Sequence, residues 1–127
     1  MREILFKGQR TNNNEWVEGF FLTSPEFDNI GISVITAIEP RKPHYVFKNT
    51  VGQYTGLTDK NGKRIFEGDI LNGLLFLHPD RRIFQVGYED NGFYFFDEDE
   101  VGWHPEHIVD CEVIGNIHDN PELLKGE

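Results

Sequence analysis

Short stretches in which apolar and polar residues alternate follow one another along most of this chain, and a period of two is typical of half-buried β-strands. Turn-forming residues separate the stretches about every 8–12 residues, and no apolar pattern predicts a long helix. The pattern therefore predicts an all-β protein with little helix, built as a small barrel or sandwich. The predicted strands are Met1–Lys7, Glu15–Thr23, Ile30–Ala37, His44–Lys48, Leu74–Leu77, Arg82–Glu89, Gly92–Asp97 and Cys111–Ile117.

Two turns predict β-hairpins between neighbouring strands. Thr11–Asn14 contains three asparagines, which tolerate left-handed backbone and bond their own main chain. Asp90-Asn91-Gly92 predicts the second hairpin, because Asn-Gly accepts positive φ at low cost. The other segments predicted as turns or loops are Ser24–Asn29, Asn49–Asp69 with its Asp59-Lys60-Asn61-Gly62 turn, and Asn72-Gly73. One turn of helix is predicted near Pro105 and another after Asn120.

The length of 127 residues predicts a single domain, residues 1–127. Prolines at positions 40 and 43 interrupt the strand pattern. If the domain has two lobes, the sequence therefore places their boundary near Pro40–Lys48, which separates an N-terminal hairpin lobe, 1–48, from a barrel, 49–127.

Charge is distributed unevenly along the chain, which has a formal net charge of -10. Residues 1–82 hold 11 basic and 10 acidic residues, whereas residues 83–127 hold 1 basic and 12 acidic residues. The acidic part would repel a phosphate backbone and an anionic membrane surface, so nucleic-acid and membrane partners are disfavoured. The basic residues that remain for direct nucleic-acid contact are Arg2, Lys7, Arg10, Arg41, Lys42, Arg81 and Arg82.

The expected compartment is a reducing one, the cytoplasm of the cell that makes the protein. Cys111 is the one cysteine, so the chain forms no internal disulfide, and the start of the sequence lacks the apolar core of a signal peptide. The longest uninterrupted apolar run, Leu74–Leu77, is far shorter than the roughly 20 residues that span a bilayer.

Four residues near the C-terminus are the candidate metal ligands: His104, His107, Cys111 and His118. Nitrogen and sulfur ligands suit zinc, but this spacing matches no standard zinc pattern. We expect no cofactor and no stoichiometric metal, with weak metal binding by these four residues left open. A catalytic pair of Cys111 with a histidine is a further alternative to the simpler prediction that Cys111 is a small buried residue.

Two groups of carboxylates require an interpretation. Glu67 and Asp69 are two apart on a strand and could share a proton, as catalytic pairs do. A structural role is favoured, because Gly68 permits a sharp corner, Asp69 can bond nearby amides and Ile70 fills the core. The run Asp97–Glu100 is interpreted as a solvated acidic loop.

Three segments of the chain are distinctive enough to compare with known families. The first is REILFKGQR with EWVEG, at Arg2–Arg10 and Glu15–Gly19. The central and longest one is VGQYTGLTDKNGKRIFEGDI, at Val51–Ile70. The third is VIGNIHDNPELL, at Val113–Leu124. Together they resemble the YopX family of phage and prophage proteins, so the expected cytoplasm is that of a bacterial host cell. Lys7, Gln9 and His118 depart from the residues that the resemblance leads us to expect, which are Arg, Lys and Tyr.

The resemblance implies an SH3-like barrel and an origin in a bacteriophage or integrated prophage, and it assigns no reaction and no catalytic residue. We therefore expect a non-enzymatic accessory protein that binds a host or phage protein, or associates with itself as a homo-oligomer. The alternative is an acidic nucleic-acid mimic that blocks a host DNA-binding protein or nuclease, because 12 acids in the last 45 residues could imitate phosphate charge.

Overall fold

The fold comes from a computed structural model that describes residues 4–22, 24–38 and 40–125. It divides into two compact units, Met1–Tyr54 and Thr55–Glu127. The sequence-based boundary follows residue 48, a few residues earlier. The parts of the predicted strands that fall on residues 1–3 and on Thr23 lie outside the described residues.

The first unit is an antiparallel sheet with one short helix, and its hydrogen-bonded order is β4-β3-β2-β1 followed by the start of β5. The Thr11–Asn14 turn joins β1 to β2, so the first predicted hairpin is confirmed. The elements are β1 (Phe6–Gln9), β2 (Trp16–Leu22), α1 (Pro25–Asn29), β3 (Ile32–Ile38), β4 (Arg41–Phe47), a 3-10 turn (Lys48–Thr50) and β5 (Gly52–Thr58), which continues into the second unit.

This sheet curls until its two ends meet. Arg10, directly after β1, forms a β-bridge with Val46 of β4, and the Thr11 amide donates to the Tyr45 carbonyl over 3.1 Å. The side chains of Ile35 and Val46 on the inner face are fully buried. The predicted hairpin lobe is therefore a four-stranded curled sheet with a core of its own.

The second unit contains a five-stranded antiparallel sheet in the order β10-β9-β8-β7-β11, and β6 pairs with β5. Trp103, Cys111 and Val113 pack against the buried core of this unit. The core residues are Ile65, Leu71, Leu75, Phe84, Val86, Phe95 and Ile108. The elements are β6 (Arg64–Phe66), β7 (Asp69–Leu75), β8 (Arg81–Glu89), β9 (Gly92–Phe96), β10 (Gly102–Trp103), a 3-10 turn (Pro105–His107), β11 (Ile108–Asn116) and a 3-10 turn (Pro121–Lys125).

These curled antiparallel sheets confirm the all-β prediction, with little helix and the β8–β9 hairpin in its expected place. Asp90 and Asn91 both have positive φ, 50° and 65°, as a tight hairpin turn requires. Within the described ranges, no helix is long and apolar enough to cross a membrane.

Two predictions about proline-containing segments were wrong. Ser24–Asn29 is not a loop, since Pro25–Asn29 forms α1 with Pro25 in its first turn, and five residues are too few to show a helical period. Pro43 does not end a strand but lies within β4, opposite Thr36. The Tyr45 carbonyl faces the edge of β4 that lies away from β3, and so does the missing N–H of Pro43 two residues before it. The end of β1 meets this edge at Tyr45 and Val46, but among the described residues no strand pairs with it at Pro43.

Two further corrections concern glycine-containing strands. Asn72-Gly73 is not a turn, because β7 runs through it from Asp69 to Leu75. A Cβ at Gly73 would lie 2.9 Å from Ile108 Cγ2, so this glycine permits β11 to approach β7 closely. β5, Gly52–Thr58, was missed because two glycines made this segment resemble a loop.

Candidate functional site

The four candidate metal ligands do not converge on one point. The rings of His104 and His107 lie 5.9 Å apart between centroids, and the His104 ring also packs against Tyr94. Cys111 is half-buried in β11, against the core of the second unit. In the part of the chain that the structure describes, no three His, Cys, Asp or Glu side chains are arranged to hold a metal ion.

The thiol of Cys111 is held in its protonated form. Burial raises its pKa, and the negative charges of Asp59 and Asp110 raise it further. The thiolate is the nucleophilic form of cysteine, so this environment opposes nucleophilic chemistry at Cys111.

Asp69 has the structural role that the sequence predicts. Its side chain is buried, and its Oδ2 accepts a hydrogen bond of 2.8 Å from the Phe66 amide. Gly68 turns the corner between them with φ of 93°, a conformation that favours glycine. Ile70 is fully buried beside the corner.

Asp59 is a second buried carboxylate, and sequence reasoning treated it only as part of a turn. Its Oδ1 accepts the amides of Asn61 and Lys63, and its Oδ2 accepts the amide of Val113 in β11, each over 2.9 Å. Burial by itself would raise the pKa of Asp59, but these backbone hydrogen bonds and the charge of Lys63 hold it below its usual value. Asp59 therefore ties the turn to β11, 54 residues away along the chain.

The acidic run Asp97–Glu100 is not uniformly solvated, which corrects the sequence-based interpretation. The side chain of Asp97 is only 6% exposed. Its Oδ1 accepts the amides of Asp99 and Val101, and its Oδ2 accepts the indole N–H of Trp103 over 2.9 Å. Burial alone would raise the pKa of Asp97, and these hydrogen bonds together with the charge of Arg82 lower it.

The exchange Asp97→Asn is expected to lower the free energy of unfolding by about 1–3 kcal/mol, because the amide nitrogen cannot accept the Trp103 indole proton. The indole NMR signal of Trp103 should shift at the same time. Asp99→Asn is the matched control, since Asp99 is exposed and its exchange should change stability by less than about 0.5 kcal/mol. Equal effects of the two exchanges in urea unfolding would contradict the structural role of Asp97.

Three residues of the acidic run, Asp97, Glu98 and Glu100, line a pocket of about 180 Å³. Its apolar lining includes Ile83, Leu123 and Leu124. Carboxylates beside an apolar wall can accommodate a lysine or arginine side chain, whose stem is apolar and whose head is charged.

A continuous apolar surface lies on the opposite side of the first unit's sheet from Ile35 and Val46. Leu22, Val34 and Tyr45 are directly opposed across β2, β3 and β4, and opposed residues of antiparallel strands share one face. We call this surface the outer face; it comprises Leu22, Val34 and Tyr45, with the adjacent Phe20, Thr36, Pro43, Ile32 and Phe47.

The outer face is exposed although it is apolar. The exposed fractions are 65% for Leu22, 57% for Tyr45, 47% for Phe20 and 38% for Phe47. An antiparallel sheet with one buried face commonly carries polar residues on the other. Phe27 of α1 borders the surface, with its ring 5.4 Å from that of Tyr45. The outer face is therefore an exposed apolar patch of the kind that water disfavours.

Comparison with known families identifies the chain. The model of the family described as YopX protein matches residues 5–125, nearly the whole sequence. The chain belongs to the YopX family. The resemblance of the three sequence segments is thereby confirmed.

A solved structure shares the fold of this YopX protein. It is the crystal structure of protein EF1440 from Enterococcus faecalis, whose sequence is 27% identical to this chain. The two structures superpose with a TM-score of 0.60. The similarity covers 98% of this chain and 99% of the other. No curated protein sequence gives a significant match.

The longest of the three segments that resemble YopX proteins, Val51–Ile70, contains two turns held by side chains. Two buried carboxylates, Asp59 and Asp69, stabilise these turns. The Lys60 amide also donates to the Cys111 carbonyl of β11 over 2.9 Å. Asp59, Lys60 and Asp69 of this segment therefore hold its backbone turns in place.

Proposed function

We propose that this protein is a non-enzymatic accessory protein of a bacteriophage or prophage, and that it binds another protein, or a second copy of itself, through the outer face. The observation that carries this proposal is the row of Leu22, Val34 and Tyr45 with Phe20 and Phe47 beside it, which lie on one face and, apart from the partly buried Val34, are exposed. Membership of the YopX family supports the origin in a phage or prophage.

The energetics of this surface favour a protein partner. Removing a large apolar side chain from water stabilises a complex by about 1.5–3 kcal/mol. Tyrosine is also frequent among the residues that dominate binding energy, because it combines a large apolar ring with a polar tip. A partner that covers Leu22 and Tyr45 together would thus gain much of the free energy that a specific complex requires.

The acidic part of the chain supports nucleic-acid mimicry less well. A mimic of a phosphate backbone needs carboxylates that are free to face the partner. Asp97 instead accepts hydrogen bonds from its own loop, and Asp110 forms an ion pair with Arg81 at 2.9 Å. Lys60 lies 3.9 Å from both Asp110 and Glu112.

The double exchange Leu22→Glu and Tyr45→Glu tests the proposal. We expect it to weaken self-association, or retention of a partner from infected cells, by about tenfold or more, because charges would have to be buried in the interface. Light scattering measures the first, and quantitative pull-down with wild-type and variant protein side by side measures the second. Leu77→Glu is the matched control, because Leu77 is 86% exposed and lies in the second unit.

Two results would contradict the proposal. The first is equal association of the wild type, the double variant and the control. The second is loss of partner binding in the amide variant Asp99→Asn with Glu100→Gln but not in the outer-face variant, which would favour the nucleic-acid mimic. Circular dichroism of each variant must match the wild type for the comparison to count.

A further inference from the structure

A second surface feature of the first unit is a pocket of about 170 Å³ beside the point where the curled sheet closes. Arg10, Lys42 and His44 line it, together with Thr11 and Asn12 of the first hairpin turn, and Pro43 and Tyr45 form the side that adjoins the outer face. The bridge between Arg10 and Val46 and the hydrogen bond from Thr11 to Tyr45 place the end of β1 against β4. The pocket thus exists because the sheet curls.

The three basic side chains that line the pocket point to the same side of the sheet. Lys42, His44 and Val46 are two residues apart along β4, so they share one face. Arg10 is directly opposed to Val46 and therefore lies on that face too, diagonally across from His44. Arg41, the neighbour of Lys42, has the same charge but belongs to the opposite face.

The positive charge in this pocket is poorly neutralised by the protein itself. Among the described residues, Lys42 and His44 form no salt bridge, and the partner of Arg10 is Glu15 at 4.0 Å, which is 73% exposed. A contact of that length and exposure contributes little. The groups around His44 are Arg10 from the end of β1, Lys42 from β4 and the apolar Ile35 opposite it on β3. Burial, and then the charges of Arg10 and Lys42, lower the pKa of His44.

We propose that this pocket binds a single phosphate group with two negative charges, as a free ion or as a phosphate monoester. Arg10 and Lys42 supply two permanent charges, and Thr11 and Asn12 carry further hydrogen-bond donors. The pocket is compact and suits one group, whereas a long polyanion would also meet the negative charge of a chain whose net charge is -10. A bound dianion favours the charged form of the imidazole, so His44 gains a proton on binding.

Amide NMR spectra recorded during titration with inorganic phosphate, at ionic strength held constant with potassium chloride, test the proposal. The expected result is saturable shifts at Thr11, Asn12 and His44. After correction for the fraction of inorganic phosphate that is dianionic at each pH, binding should be stronger at about pH 6.5 than at about pH 7.5, and His44→Gln should remove part of this difference. Lys42→Gln should weaken binding about fivefold or more, and Arg41→Gln, the matched control, less than about twofold.

Two more probes identify the source of the phosphate group. O-phosphoserine that binds more tightly than inorganic phosphate would assign the pocket to phosphate monoesters, and the reverse order would assign it to the free ion. A dinucleotide with one internal phosphodiester should bind more weakly than either. Shifts that do not saturate, equal losses in Lys42→Gln and Arg41→Gln, or tightest binding of the dinucleotide would each overturn the proposal.

Discussion

Replacement of Asp59 by alanine is expected to lower the free energy of unfolding of the second unit by about 3–5 kcal/mol. The exchange leaves the amides of Asn61, Lys63 and Val113 without their acceptor. Asp59→Asn should cost less, because its one carbonyl oxygen can still accept the two turn amides while its NH2 group faces the Val113 amide. Urea unfolding followed by the indole NMR signal of Trp103 measures both.

Asp80→Ala is the matched control for charge, because Asp80 is exposed. Its exchange should change stability by less than about 0.5 kcal/mol. A loss of similar size for Asp59→Ala and Asp80→Ala would show that charge, and not the three hydrogen bonds, is responsible.

The contribution of Asp59 also depends on pH in a defined direction. Its pKa in the folded protein is lowered from the ordinary value of 3.8, so folding favours the ionised form. The resulting stability is fully present above the unfolded-state pKa and is lost as pH falls through the folded-state pKa. The difference in stability between the wild type and Asp59→Asn should therefore be constant near neutral pH and shrink below about pH 4.

Gly19→Ala is expected to destabilise the first unit by about 3 kcal/mol or more. A Cβ at Gly19 would overlap the backbone carbonyl oxygen of Thr36 in β3. Gly19 is paired on one side with Ala37 and on the other with Phe6, so β2 cannot move away without breaking a strand pairing. Each unit contains one tryptophan, and the NMR signals of Trp16 and Trp103 therefore report on the two units separately.

Gly92→Ala provides the comparison, because a Cβ there would meet nothing closer than 3.7 Å. We expect that exchange to cost less than about 1 kcal/mol. For Gly19→Ala, the Trp16 signal should change first in a denaturant series while the Trp103 signal stays native. If Gly19→Ala unfolds at the same denaturant concentration as Gly92→Ala, β2 and β3 do not approach each other as closely as described.

Features that depend on neighbours in the sequence could be predicted. The two hairpins follow from Thr11–Asn14 and Asp90-Asn91-Gly92, whose residues favour tight turns wherever they occur. The corner at Gly68-Asp69 is another case, since the carboxylate bonds an amide only three residues away. The YopX family could likewise be recognised from continuous segments.

Features that depend on distant residues could not be predicted. Pro43 is accepted in β4 because no described strand pairs with that edge of β4 at its position, and Gly73 continues β7 because β11 approaches it. Asp97 looks like its three acidic neighbours in the sequence, but only Asp97 is close to the indole of Trp103. The outer face could not be predicted for the same reason. Alternation along one strand shows which of its residues share a face, but not which residues of the neighbouring strands lie beside them.

The sequence alone thus determined the all-β class, the hairpins and the family of this protein, because these follow from local turn chemistry and a period of two. The tertiary structure decided which charged and apolar residues share a surface. Curling of the first sheet brings Arg10 beside Lys42 and His44, which lie more than 30 positions away in the sequence, and strand register aligns Leu22, Val34 and Tyr45. Such placement depends on strand pairing between distant segments, which no local pattern encodes.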